Sequence, residues 1–161
     1  MGIQLRELKE KDIPKVISMF SNLSEERAKV SFVEIASMEE IRNWIKNPNT
    51  FVYVAADGDV ISAVLRAKRG KGNQSHTCNL TVAVDFNFRG NSIAKELTEF
   101  ALNILKDKGI KIIRAYIYSN NKTAINMVLS CGFTFAGNIY MNHFDEETGK
   151  YIDDLIFHKI L

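Results

Sequence analysis

The run AVDFNFRGNSIAKEL, residues 83–97, passes from a Thr- and Val-rich stretch to one with helical periodicity across a turn that holds Gly90. Upstream, HTCNLTVAV (76–84) reads as a strand. Downstream, Ile93, Leu97, Phe100, Ala101, Ile104 and Leu105 keep the spacing of one helix face, with Gly109 as the stop. IKIIRAYIY (110–118) is a strand again. A strand–helix–strand step of this kind is a right-handed crossover, which makes its two strands parallel neighbours in one sheet.

The flanking segments supply the rest of the sheet. IQLREL (3–8) alternates like a first strand, and Asp12 offers an N-cap before Pro14. Ile13, Val16, Ile17 and Phe20 then share a helical face. Ser37 and Glu40 have capping-box spacing ahead of a second helix, with Met38, Ile41, Trp44 and Ile45 as its buried stripe and Pro48 as its end. TFVYVAA and DVISAVLRA form a hairpin joined at Asp57-Gly58. KTAINMVLSC (122–131) is a short helix closed by Gly132, and FTFAGNIYM pairs with YIDDLIFHKIL across a loop containing Gly149. The order predicts a mixed α/β domain over residues 1–161, with about four helices on a mostly antiparallel seven-stranded sheet.

Composition narrows the function. With 46% apolar and 25% charged residues among 161, the chain suits one packed core. A net charge of +2 does not imply a nucleic-acid partner, although Arg66, Lys68, Arg69 and Lys71 gather positive charge in one stretch. That stretch reads as a solvated hairpin loop or as a guide for an anionic ligand. No apolar run resembles a signal peptide or a membrane span, so the expected location is cytoplasmic, without a membrane partner. Cys78 and Cys131 then read as free thiols, and neither has the spacing of a metal site.

The junction at 89–94 is suited to holding an anion. A helix start exposes backbone N–H groups and carries about half a unit of positive charge. Gly90 permits close approach, Asn91 and Ser92 are short and polar, and Ala94 keeps the first turn clear. By itself the junction reads equally as a phosphate loop or a plain connection, and it lacks both the P-loop and the dinucleotide-binding patterns.

Two motifs in register carry a resemblance. Arg89, Gly90, Asn91, Ser92, Ile93 and Ala94 align with an Arg/Gln-x-x-Gly-x-Gly/Ala loop, and Asn121, Ala124, Ile125, Gly132 and Phe133 align with Asn-x-x-Ala-Ile followed by Gly-Phe. With the element order, the chain resembles the GNAT superfamily of acyl-CoA N-acyltransferases. Of the three defining loop slots, Arg89 and Ala94 match. Ser92 stands where glycine is usual, which calls for ordinary helical φ at that residue.

The resemblance implies a GNAT fold with a splayed parallel strand pair and acetyl-CoA as co-substrate. Backbone groups of Val82, Ala83 and Val84 would pair with pantetheine, amides from Arg89 to Ala94 would hold the diphosphate, and Asn121 would reach the pantetheine arm or the acceptor. It further implies direct attack of a primary amine, on a small molecule or a peptide N-terminus, on the acetyl thioester, by a monomer or homodimer. The Tyr common seven residues after the signature Asn is replaced by Val128, and a Glu base used by some members falls at Cys78. These replacements, and GKYIDDLIF near the end, are similar to the ribosomal-protein N-terminal acetyltransferase subgroup.

Remaining candidates for proton transfer are His76, expected on the same strand face as Cys78 but read also as a surface or loop histidine, and Tyr118, on a strand beside the cleft with Tyr116, where edge-strand aromatics read also as packing residues. His143 and His158 read as loop and strand-surface positions. Residues 21–37 and 142–150 would set acceptor specificity, with Glu25, Glu26, Glu34, Asp145, Glu146 and Glu147 favouring a cationic amine. A catalytically silent acyl-CoA-binding module is the alternative that the missing Tyr and Glu motivate. A nucleotide-binding protein is the reading that rests on the loop alone.

Overall fold

The computed structural model describes residues 2–25 and 37–161, with the backbone alone at 24 and 25. Seven strands form one sheet: β1 (Gln4–Glu7), β2 (Thr50–Asp57), β3 (Val60–Arg69), β4 (Thr77–Val84), β5 (Ile112–Tyr118), β6 (Thr134–Asp145) and β7 (Lys150–Ile160). Their order is β1-β2-β3-β4-β5-β7-β6, antiparallel throughout except for the parallel β4–β5 pair. The helices are α1 (Ile13–Glu25), α2 (Met38–Lys46), α3 (Ile93–Asp107) and α4 (Lys122–Ser130). Among the described residues the expected sheet, four helices and parallel step are all present.

Side-chain alternation divides the core between the two faces of the sheet. On one face, Val52, Val54, Ala56, Val64 and Ala83 pack against Val16, Phe20 and Leu23 of α1 and Ile41 and Trp44 of α2. On the other, Leu65, Cys78, Leu80, Ile113 and Phe157 pack against Leu97, Ala101 and Leu105 of α3 and Val128 of α4. Each fully buried Leu or Ile contributes roughly 1.5–3 kcal/mol, so these two layers dominate the favourable side of folding.

Several local expectations change. Asp12 is not the helix N-cap: its carboxylate accepts from the Lys9 amide at 2.8 Å and from both terminal nitrogens of Arg6 at 2.7 and 3.0 Å, and a short 3-10 turn leads into α1 instead. Ser37 does cap α2, accepting from Glu40 N at 3.1 Å, but Met38 and Ile45 are exposed and only Ile41 and Trp44 are buried. The β2–β3 turn is Gly58-Asp59, because Asp57 already pairs with Val60. Arg66 and Lys68 belong to β3 rather than to a loop, with the Arg66 guanidinium 4.9 Å over the Trp44 ring. β5, expected at an edge, lies between β4 and β7, and β6 takes an edge.

No helix among the described residues is long and apolar enough to cross a membrane.

Candidate active site

The site is created by incomplete strand pairing. β4 and β5 pair at Thr77–Ile112, Cys78–Ile113 and Asn79–Arg114 and no further, although β4 runs on to Val84 and β5 to Tyr118. Each strand stays paired on its other side, β4 with β3 through Val84 and β5 with β7 through Tyr118. The result is a wedge in which β4 from Leu80 to Val84 and β5 from Ala115 to Tyr118 have no strand pairing across the gap. An unpaired edge offers directional hydrogen bonds to an amide-bearing arm. The cleft encloses about 510 Å³ including its open mouth, between Leu80, Thr81 and Val82 on one side and Tyr116, Tyr118, Asn121 and Ala124 on the other.

The loop that follows β4 carries two residues of left-handed backbone. After β4, Asp85 accepts from Asn87 N at 2.9 Å and closes a 3-10 turn over Phe86–Phe88, which the sequence did not signal. Gly90 then takes φ +83 and Ser92 φ +58, with ordinary φ at Asn91 between them. Alternation of left- and right-handed residues is the backbone pattern from which anion-binding nests are built. The first bond of α3 runs from Glu96 N to Ser92 O, so the amides of Ile93, Ala94 and Lys95 lie ahead of the helical ladder. The expectation of helical φ at Ser92 is therefore corrected. The position adopts the left-handed conformation that explains why glycine is usual there.

Asn121 caps α4, its Oδ1 accepting from Ala124 N at 3.2 Å, and lines the cleft. Val128 is buried beneath it and Cys78 lies in the core, where burial pushes its thiol up to about 11. Burial likewise raises the Cys131 thiol. Neither thiol is a nucleophile in this setting.

His76 is not on the strand. It occupies the exposed turn before β4, with its carbonyl accepting from Lys111 and Ile112. Six residues of extended chain separate it from Val82, roughly 20 Å, so the structure does not bring it to the splayed end. Tyr118 does lie there, on the cleft wall. Its ring centroid is 4.5 Å from that of His143, whose Nε2 is 3.0 Å from Asp154 Oδ2. His143 is thus a strand residue of β6 facing the cleft wall, not a loop residue. Sequence reasoning missed His143 and Asp154 because no spacing links positions on two strands whose register is broken by a bulge. Of the acceptor segments, the Glu25 side chain and residues 26–36, with Glu26 and Glu34, lie outside the described residues. Asp145 accepts from Thr148 Oγ1 at 3.0 Å and Asn120 Nδ2 at 3.2 Å beside the cleft mouth.

Comparison with known proteins agrees with this architecture. YwnH of Bacillus subtilis, whose name gives it provisionally as a phosphinothricin acetyltransferase, is 23% identical over 134 residues, 80% of this chain and 82% of that protein. The ribosomal-protein-alanine N-acetyltransferase of Brucella melitensis superposes with a TM-score of 0.86 at 22% identity, covering 98% of this chain and 99% of that one. The yncA structure from Salmonella typhimurium, which holds its cofactor acetyl-CoA, gives 0.88 at 16% identity over 100% and 95%. Residues 18–133 match the Acetyltransferase (GNAT) family, and the chain belongs to that family of acetyl-CoA-dependent acyltransferases.

Proposed function

We propose that this enzyme moves the acetyl group of acetyl-CoA to a primary amine by direct attack within a ternary complex. The observation that carries the reading is the wedge beyond Asn79 and Arg114, which ends at the loop of alternating backbone handedness. The free edge at Val82, Ala83 and Val84 would take the amide-bearing pantetheine arm. The amides of Arg89, Gly90, Asn91, Ser92, Ile93 and Ala94 would hold the diphosphate. A Cβ at Gly90 would meet nothing within 4 Å, so the cradle stays open to a ligand. Asn121 and Tyr118 both line the cleft; Asn121 would reach the pantetheine arm or the acceptor, and Tyr118 would supply a proton to the departing thiolate.

Acetyl-CoA contributes an activated carbonyl; the chain contributes proximity and proton management. An amine of pKa about 10.4 is almost wholly protonated at pH 7, so a proton must leave before attack. Tyr116, Tyr118, His143 and Asp154 stand on the α1/α2 side of the sheet, and the acceptor would enter from there. The test is thiol release from acetyl-CoA with two acceptors that the relatives' names suggest, L-phosphinothricin and a peptide beginning with Ala. Turnover of either supports the reading; acetyl-CoA binding without turnover of any amine, hydroxylamine included, overturns it.

A further inference from the structure

The geometry points to His143, oriented by Asp154, as the group that takes the proton from the acceptor amine; this inference rests on the acetyl-transfer reading above. Three observations lead there.

The first is register. Ile139 pairs with Asp154 and His143 with Ile152, so β6 advances four residues while β7 advances two. Bulges of this kind re-aim a side chain, and they cluster beside active sites. Here the two extra residues make Asp154 the diagonal neighbour of His143, within hydrogen-bond reach.

The second is that the bulge is strained and held. Met141 has φ +50, a left-handed conformation that costs a branched-free L residue about 1–2 kcal/mol. Its N–H donates to Asp153 Oδ1 at 2.8 Å, and Asn138 Nδ2 donates to Asp153 Oδ2 at 3.0 Å. Asp153 is itself fixed by its own N–H donating to Ser119 Oγ at 2.9 Å. Strain that persists because its surroundings over-determine it is characteristic of functional segments.

The third is the tautomer. A carboxylate only accepts, so the 3.0 Å contact requires a hydrogen on Nε2 of His143 and, in the neutral ring, puts the lone pair on Nδ1. Asn142 Nδ2, 3.4 Å from the same Nε2, donates instead to Asp154 Oδ2 at 2.7 Å. The groups facing the imidazole are then Asp154 from β7, Tyr118 from β5 and Asn142 on its own strand. A cation formed on the ring is stabilised by the Asp154 carboxylate, which is only 13% exposed.

The transfer balances as follows. The ammonium proton passes to Nδ1 of His143, and the freed nitrogen pair forms the N–C bond to the acetyl carbonyl. The C–S bond breaks with its electron pair on sulfur, and the Tyr118 hydroxyl donates its proton to the departing thiolate. The second proton on the acylated nitrogen passes to the Tyr118 oxygen, leaving the neutral amide and CoA thiol. His143 is a catalytic residue in this account, and Asp154 is a positioning residue.

Hydroxylamine, already neutral at pH 7, serves as a nucleophile that needs no prior proton removal. In His143→Gln the ratio of Ala-peptide or phosphinothricin turnover to hydroxylamine turnover falls by about 10²–10⁴; in Asp154→Asn it falls less. An unchanged ratio overturns the inference while leaving acetyl transfer intact, whereas absence of turnover with every amine, hydroxylamine included, overturns the transfer reading itself. If neither aliphatic acceptor is turned over, a long-range proton–nitrogen spectrum of the intact protein decides. The Nε2–H tautomer at His143, lost in Asp154→Asn, is the expected result. An Nδ1–H tautomer overturns the assignment.

Discussion

Asn79 and Arg114 are the last residues at which β4 and β5 touch as paired strands; beyond them the two backbones diverge around a cleft. If acetyl-CoA occupies that wedge, filling it must exclude the cofactor. Ala124→Trp, on the cleft wall, should weaken acetyl-CoA binding at least about tenfold, ~1.4 kcal/mol, with the circular dichroism spectrum unchanged. Equal affinity in calorimetry would place the cofactor elsewhere.

Ser92 and Gly90 share positive φ but differ in cost. A left-handed Ser costs roughly 1–2 kcal/mol, while glycine loses about 0.4–1 kcal/mol more chain entropy on folding. The strain is the larger effect, so Ser92→Gly should stabilise by about 0.5 kcal/mol and Gly90→Ser should destabilise by about 1 kcal/mol. Denaturant midpoints moving the other way would mean the loop relaxes out of this conformation.

The Arg6–Asp12 pair makes stability depend on pH. Burial alone would push the Asp12 carboxyl up, but the Arg6 guanidinium and the Lys9 N–H outweigh it and hold the pKa below the usual carboxylate value. A depressed folded pKa gives stability that is complete above the unfolded value of about 3.9 and is lost as pH falls through the folded value. Asp12→Ala should cost about 2 kcal/mol at pH 7, with the same gap at pH 5 and a shrinking one below about pH 4. Urea midpoints that keep a constant gap down into strong acid would contradict this.

Both thiols should be silent in the native protein. Cys78 is raised to about 11 and Cys131 is raised as well, each chiefly by burial, and the thiolate is the reactive form. Ellman's reagent at pH 8 should therefore titrate neither until denaturant is added, which leaves released CoA as the only thiol signal in a turnover assay. Rapid labelling of one native thiol would show that its site opens.

What was legible in the sequence follows from how local its cause is. The Ile93, Leu97, Ala101 and Leu105 stripe, the Ser37 cap and the strand–helix–strand step depend on neighbours in the chain, and the structure has all three. The motif at 89–94 holds the left-handed residues Gly90 and Ser92, and the motif at 121–133 supplies Asn121, Ala124 and Val128 to the cleft wall. Asp12 misled because a carboxylate beside a helix start reads as a cap unless Arg6, one strand away, claims it. Ser92 hid its backbone angle because φ is not written in a side chain. His143 and Asp154 were invisible as a pair for a different reason: a two-residue bulge between distant strands brings them together, and nothing at either position announces it.

The most direct test of the account is acetyl-CoA calorimetry on the native chain and on the double variant Arg89→Glu, Ala94→Asp. Two carboxylates placed at a helix start that leaves its first amides outside the helical ladder oppose a diphosphate by charge as well as by bulk. Micromolar binding by the native chain, reduced at least a hundredfold (about 2.7 kcal/mol) in a variant that keeps its thermal midpoint, is the predicted result. Equal binding by both proteins, or none by the native chain, would contradict the assignment of this loop as the diphosphate cradle.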